Sequence, residues 1–524
     1  MSKIIQQRLS RLIKCNAAHS LTGGYKGIEK ESLRVAADGC LAQTPHPVGL
    51  GSALTNRFIT TDFSEALIEF VTPAVPHTWE ALRDLCDIHQ FTYQRLGDEL
   101  LWVTSMPCKI PKDSEIPLAR YGSSNVGRMK TIYRNGLGHR YGRTMQTIAG
   151  LHFNYSLPEA FWPIWQELER DSGELSAFRS AAYLGLIRNF RRVGWLILYL
   201  FGSSPALCKS FAAAAPAGMS ELDRMTLFEP FATSLRMSDL GYSNKTQARL
   251  NISLNSLEEY IAGLSRAIRT PEPAYEKIGV KVNGEYRQLN ANQLQIENEY
   301  YSPIRPKRVA NSGERPTAAL RRGGIEYVEV RSLDLNVFDP VGINQNVMRF
   351  TEALLIYCLL EDSPPLDDRG WDELSANHSA TAKRGRDPDL RLQRDGKEIS
   401  LAAWADEILR GVREVAALLD RGGDNDDYSQ SVAAQQARVE DPDRTPSARL
   451  LSELTSTGCS FFEFAMNAAK GHRDYFASLV DLPEDRMRFF ADEARESLQR
   501  QRQIEASSTE RFDDYLAAYF DSAS

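Results

Sequence analysis

The sequence has no long hydrophobic run. Its most apolar stretch, Val193 to Gly202 (VGWLILYLFG), is about half of the roughly 20 residues a membrane-spanning helix requires, and Ser203, Ser204 and Pro205 end it. That stretch is expected to be a buried core element, and no membrane partner is expected. Met1 to Ser20 also lacks an uninterrupted apolar segment, since Lys3, Arg8, Arg11 and Lys14 break it, so it does not read as a secretory signal. Cysteine is sparse. Seven occur in 524 residues, with no C-x-x-C pair and an odd total, which argues against a complete disulfide framework and for a reducing, cytoplasmic compartment. There is no excess of positive charge either: Lys+Arg of 62 against Asp+Glu of 69 leaves a net −7. A nucleic-acid partner is therefore not expected, although a local basic pocket for a small phosphate-bearing ligand remains compatible with the total. Phosphate-loop, H-E-x-x-H and G-x-S-x-G motifs are absent, and Gly136-Leu137-Gly138 is spaced wrongly for a dinucleotide fingerprint. Any nucleotide site would have to be built from a sheet and metal ions. No period of 20 to 50 residues repeats, which removes support for solenoids and propellers.

What is present divides by texture. From about Gly24 to Asp339, short alternating runs are interleaved with helical stretches, the pattern of an α+β domain. From about Gly342 onward helix dominates, as in Val347 to Leu360 and Leu401 to Leu419. The division expected is a catalytic α+β core over 1–340 and a mostly helical C-terminal portion, 341–524, packed on it. Ser363 to Lys397, polar and proline-bearing, reads as a long surface connection.

Four strand-like runs carry polar groups on a single face. In Gly27 to Val35 (GIEKESLRV), period 2 puts Glu29 and Glu31 side by side, two strand rises or roughly 7 Å apart. Such a pair suits hard divalent cations, or else is an acidic exposed strand. In Asp62 to Thr72, Glu69 sits in a hydrophobic bed, Ala-Leu-Ile-Glu-Phe-Val, where an unpartnered carboxylate is costly; a basic residue or a cation should neutralise it. Gly150 to Leu157 separates His152, Asn154 and Ser156 from Leu151, Phe153, Tyr155 and Leu157. Gly323 to Asp334 places Tyr327, Glu329 and Arg331 together, either a cation ligand beside a phosphate fork or a surface ladder. Taken jointly, Glu29, Glu31, Asp62, Glu69, Glu329 and His152 on one sheet face describe a cluster of divalent cations, which usually accompany nucleotide phosphates.

Basic and aromatic residues supply the complement. Arg128 to Gln146 concentrates Arg128, Lys130, Arg134, Arg140 and Arg143 with Tyr133 and Tyr141, and Ala232 to Gln247 adds Arg236, Tyr242 and Lys245. The acidic total favours a small anionic ligand there over nucleic acid. Asn298 to Arg308, with Tyr300, Tyr301, Pro303 and Pro306, is another candidate of this kind, or else a proline-stiffened loop with packed aromatics.

These residues carry a family likeness. GIEKESLR (Gly27 to Arg34), ITTDFSEALIEFVT (Ile59 to Thr72), SMPC (Ser105 to Cys108), YGSSNVGRMKT (Tyr121 to Thr131), MQTIAGLHFNYSLP (Met145 to Pro158), ATSLRMSDLGYSNK (Ala232 to Lys245), QIENEYYSPIRPKR (Gln295 to Arg308) and GGIEYVEVRSLDL (Gly323 to Leu335) closely resemble the gammaproteobacterial type of glutamate-cysteine ligase. The resemblance covers most of residues 24 to 360, and no functional residue is carried over beyond it. It implies a glutamine synthetase-like α+β core, with a bent antiparallel sheet forming a funnel-shaped active site. The implied reaction joins L-glutamate to L-cysteine at the expense of ATP, giving γ-glutamylcysteine, ADP and phosphate, the first step of glutathione biosynthesis, with Mg²⁺ or Mn²⁺. By resemblance, Glu29, Glu31, Asp62, Glu69, His152 and Glu329 fall on metal-ligand positions. Arg331 falls on the catalytic arginine that faces the transferred phosphate, and Asn154 is expected with it at the nucleotide. Phe63, Tyr133, Gln146, Arg236, Tyr242 and Tyr301 fall where cysteine and neighbouring substrate groups are recognised, and loops around Tyr133, Tyr242 and Tyr301 are expected to close the site. Feedback inhibition by glutathione and a monomeric state are expected.

A carboxylate is a poor acyl donor, so phosphorylation of the γ-carboxylate by ATP would precede attack by the cysteine amine, with water kept out. Three alternatives stay open at this level: a ligase with another amine acceptor, a metal-dependent phosphohydrolase, and a catalytically dead homologue. The last predicts missing metal ligands, and none is missing.

Overall fold

Side-chain alternation makes Tyr25–Val35 a strand of 11 residues (β1), the centre of the largest sheet. A computed structural model describes residues 3–214, 218–240, 250–311, 313–422 and 425–521. Tyr242 and Lys245 lie outside the described residues. The other strands of this sheet are β2 (Ile59–Thr61), β3 (Leu67–Val71), β4 (Leu100–Leu101), β5 (Leu151–Ser156), β6 (Ile304–Lys307) and β7 (Tyr327–Leu333). Across the sheet the order is β6-β7-β5-β1-β3-β2, antiparallel throughout, and β4 pairs with the end of β1. The sheet is open, and all four runs with one polar face supply strands to it. Register then brings chemistry together: Glu29 lies opposite His152, Glu31 opposite Glu69, and Glu329 opposite Asn154.

β6 corrects one expectation. Ile304–Lys307 was expected in a proline-stiffened loop, yet it pairs with β7 as the outermost strand. Pro306 is tolerated because an edge strand can present its missing N–H position away from the ladder.

The face of β1 opposite its acids is sealed. Ile28, Lys30, Ser32 and Arg34 are all buried, with helix α1 (Thr78–Tyr93) packed there. Helix α2 (Asn125–Tyr141), capped by the Ser124 side chain accepting from Gly127 N, covers part of the other face. Tyr133 therefore stands on a helix and not on a loop, contrary to expectation. Val193 to Gly202 behaves as predicted: all seven residues of its helix Trp195–Phe201 are buried. Among the described residues, no helix is long and apolar enough to cross a membrane.

Helix α3 (Leu175–Val193) packs against α4 (Gln345–Leu360), in which thirteen of sixteen residues are buried. The same hydrophobic cluster holds Ile28, Phe153 and Val330 of the sheet together with Phe350, Leu354 and Leu409 from beyond residue 340. A buried ion pair also crosses that point. Lys26 Nζ lies 2.9 Å from Glu352 Oε1, and Tyr428 donates to Glu352 Oε2 at 2.7 Å.

Ser363 to Lys397 is not simply a surface connection. It contains helix α5 (Asp368–Arg384), whose N-terminus is capped by Asp367 accepting from Gly370 N at 2.8 Å. Trp371, Leu374, Thr381 and Ala382 are buried at helical spacing, and the polar residues that suggested a loop lie mainly on the outer face. A hairpin follows, Arg391–Arg394 with Lys397–Ser400, turned at Asp395-Gly396, both with positive φ (51° and 74°).

Candidate active site

The polar face of the sheet, α2, the segment around residues 296–310 and the last helix α6 (Phe512–Asp521) enclose a cavity of about 1060 Å³. Glu29, Glu31, Asp62, Glu69, His152, Glu329 and Arg331 all line it, as do Phe63, Tyr133, Gln146, Arg236 and Tyr301. Every proposed site residue within the described chain thus meets in one cavity, except Asn154. Its amide instead donates to Glu29 Oε1 at 2.9 Å, from beside the cavity.

Strand pairing sorts the acids into two sets, with Glu69 interacting with both. In the first, His152 Nδ1 lies 2.9 Å from Glu29 Oε2 and 3.7 Å from Glu329 Oε1. One ligand atom from each of the three falls within 4.8 Å of the others, the only such trio of His, Cys, Asp or Glu among the described residues. Burial, reinforced by Arg331, pushes the His152 imidazole down against the pull of Glu29 and Glu329, which favours the neutral form that ligates metals. Burial pushes the Glu329 carboxyl up, but Lys307, Arg331 and His152 outweigh it and hold the group well below its ordinary value. Glu329 Oε2 is buried without a hydrogen-bond partner, and so is Asn154 Oδ1. Oxygen donors beside a neutral imidazole, with a lone oxygen left over, fit a divalent cation.

The second group is Glu31, Asp62 and Glu69. Glu31 Oε2 accepts from Gly150 N at 2.6 Å. Burial, with Asp62 next, pushes the Glu31 carboxyl up to about 8, despite the lowering pull of Arg236. Burial and then Glu29, Asp62 and Glu31 push Glu69 well above its ordinary value. Asp62 is more open, and Arg134 Nη2 lies 3.8 Å from its Oδ1 while Arg134 Nε donates to its backbone oxygen. Three carboxyls with so little basic compensation suit a cation better than they suit one another.

Cationic side chains border both groups. Arg331 Nη1 is 3.0 Å and Lys307 Nζ 3.5 Å from Glu329 Oε1. Burial alone would lower the Arg331 guanidinium, but Glu329, Glu29 and Glu31 outweigh it and keep the charge on. Arg236, buried, donates to the Arg331 backbone oxygen at 2.9 Å and lies 3.5 Å from Asp334 Oδ1. Gly150 makes room for it, since a Cβ there would collide with the Arg236 guanidinium.

The sequence missed other residues of the wall. Lys307 was hidden because two prolines suggested a loop. Tyr515 and Tyr519 also line the cavity, from a region given no functional residue. Their signal was available: Phe512, Tyr515, Leu516 and Tyr519 recur at i, i+3, i+4 and i+7, one apolar helix face.

A model of the family described as glutamate-cysteine ligase matches residues 9–381. The chain belongs to the glutamate-cysteine ligase family. A glutamate-cysteine ligase of Alcanivorax borkumensis is 51% identical over 99% of both chains. The crystal structure of the Francisella tularensis glutamate-cysteine ligase in complex with AMP superposes with a TM-score of 0.90 at 36% identity, covering 96% of this chain and 98% of that one. A bifunctional glutathione synthetase from Pasteurella multocida shares the fold, with a TM-score of 0.70 at 23% identity over 89% of this chain and 55% of its own. The chain is therefore an enzyme that ligates glutamate and cysteine, the first step of glutathione synthesis. The phosphohydrolase alternative is set aside.

Proposed function

We propose that the two acid groups hold divalent cations, Mg²⁺ or Mn²⁺, and that the ligation passes through a γ-glutamyl phosphate made from ATP. The carrying observation is the meeting of both acid groups with Arg331 and Lys307 in one cavity roomy enough for several small molecules. The AMP complex of the Francisella relative supports nucleotide use. When bound, the cations would neutralise phosphate oxygens.

In this reading Glu29, His152 and Glu329 hold one cation, and Glu31, Asp62 and Glu69 another. Arg331, held protonated, stabilises charge on the transferred phosphoryl group, with Lys307 beside it and Asn154 orienting Glu29 next to the nucleotide. The γ-carboxylate oxygen of glutamate attacks the terminal phosphorus of ATP and ADP leaves. The cysteine amine then attacks the acyl carbon, phosphate departs, and the amine proton is lost. Phe63, Tyr133 and Tyr301, with the proposed Tyr242, Gln146 and Arg236, form the acceptor pocket. Enclosure by α2 and the Tyr301 segment keeps water from the acyl phosphate. Residues 1–340 would then carry the chemistry and 341–524 support it, with Tyr515 and Tyr519 as an added wall. The family resemblance also supports a monomeric, cytoplasmic enzyme inhibited by glutathione.

Glutamate labelled with ¹⁸O in its γ-carboxylate tests the pathway. One labelled oxygen should appear in inorganic phosphate for each γ-glutamylcysteine formed, read by mass spectrometry. Product formed without transfer of label would rule out the acyl phosphate. Running the assay with a panel of amines reports how strictly cysteine is preferred, since an apolar pocket separates near-isosteres by only about 1–3 kcal/mol.

A further inference from the structure

The two tyrosines assigned to the acceptor pocket come from separate parts of the chain, Tyr133 from α2 and Tyr301 from the segment before β6. One buried ion pair joins those parts. Arg140 Nη1 lies 2.9 Å from Glu299 Oε1, with the two side chains 0% and 1% exposed. Arg140 follows Tyr133 by seven residues, two helical turns, and so shares its face of α2. Glu299 precedes Tyr301 by two residues.

Both members are held on several sides. Arg140 also donates to Gln288 Oε1 at 2.9 Å and to the Asn290 backbone oxygen at 2.7 Å, and its guanidinium stacks 4.1 Å from the Tyr275 ring. Glu299 accepts from the Tyr141 hydroxyl through Oε1 and from Gln295 N at 2.7 Å through Oε2. Gln295 completes the tie by donating to the Tyr133 backbone oxygen at 3.2 Å. That approach needs Gly136, because a Cβ there would overlap the Gln295 amide. The G-L-G that resembles a poor dinucleotide motif thus brings helix and loop together.

We infer that Arg140 and Glu299 are positioning residues for the amine acceptor. Their ion pair fixes the spacing of Tyr133 and Tyr301, and hence the width of the pocket. The inference rests on the assignment of those tyrosines to the cysteine site. A buried ion pair contributes little net stability against apolar replacements, but removing one partner strands the other charge. The expected effect is a pocket displaced by a fraction of an ångström, felt by the substrate it holds.

The test is steady-state kinetics of Glu299→Gln, Arg140→Gln, the double variant and Tyr141→Phe, varying cysteine, glutamate and ATP separately. KM for cysteine should rise about tenfold in each single charge variant, with kcat and the other two KM values within about threefold. The double variant should be no worse than the poorer single, because both remove one interaction. Tyr141→Phe, which deletes only a hydroxyl, should give a smaller rise in the same parameter and guards against loss of folding in the charge variants. Parallel loss of kcat and of all three KM values, tracking a lowered Tm, would show a merely structural pair and overturn the inference. Unchanged cysteine KM would overturn it too, provided Tyr301→Phe and Tyr133→Leu raise that KM. If those two also leave it unchanged, the pocket assignment fails, and the inference falls with it.

Discussion

Glu31 on β1 and Glu69 on β3 face each other across an antiparallel pair, carboxyl opposite carboxyl. Like charges in that register destabilise a sheet. Burial and the neighbouring acids raise both groups, so the repulsion is relieved by disfavouring their charged forms. In the proposed reading, a cation between them would hold both in the charged form.

Glu69→Gln follows directly. The amide is neutral and has nearly the shape of the carboxyl, and burial with the neighbouring acids disfavours a charge at this position, so Tm without metal should equal or exceed that of the wild type. Ligation should be abolished, because an amide does not balance a cation's charge. Near-normal turnover at saturating Mg²⁺ would sink the assignment of Glu69 to a cation.

Arg331 offers a second substitution. Its Nη1 contacts Glu329, while its Nε is buried without a hydrogen-bond partner, leaving part of the fork for another acceptor. Lysine keeps the charge and loses the planar fork. Arg331→Lys should lower kcat by about 100-fold, the scale for losing one transition-state donor, with little change in KM for cysteine. An unchanged kcat would remove Arg331 from the phosphoryl site.

Metal binding should release protons. Glu31, raised to about 8 by burial and Asp62, is largely protonated at neutral pH without cations, and burial with the neighbouring acids shifts Glu69 in the same direction. Ligands must be deprotonated to bind, so affinity for Mg²⁺ or Mn²⁺ should tighten as pH rises toward 8 and weaken toward 6. Calorimetric titration at pH 7 in two buffers of different ionisation enthalpy should give different apparent heats. Equal heats would mean that no proton leaves.

How far the sequence revealed this site depends on the element. Alternation in β1, β5 and β7 was enough to place Glu29, Glu31, His152, Glu329 and Arg331 on one face, because a period of 2 leaves only two faces to choose between. It could not show that His152 comes within reach of both Glu29 and Glu329, which is a matter of strand order and register. Asn154 shares His152's face yet turns to Glu29, since a short amide reaches the neighbouring strand before the cavity. The Arg140–Glu299 tie was illegible: its members are 159 residues apart and neither sits in an alternating run. α5 was misread because a helix packed on one side shows mostly its polar side in composition.

Histidines away from the acid groups, His46, His89 and His472 among them, should give stability a pH dependence. Burial, with Arg34 next, pushes His46 down to about 4, and burial with Lys30 pushes His472 down to about 4. Burial and Lys30 also hold His89 well below its ordinary value. Unfolded, each titrates near 6.5. Between about 4 and 6.5 the unfolded chain therefore binds more protons, so their contribution to stability is full above 6.5 and is lost as pH falls toward 4. Glu31, raised in the fold, pulls the other way between its ordinary value and about 8, so the contribution must be read as a difference. Urea unfolding of the wild type and His46→Gln at pH 5.0, 5.5, 6.0, 6.5 and 7.5 isolates one histidine. The stability of the wild type relative to the variant should climb by up to about 1.4 kcal/mol per pH unit below 6.5 and be flat above it. A difference that does not change with pH would show that His46 binds its proton equally well folded and unfolded.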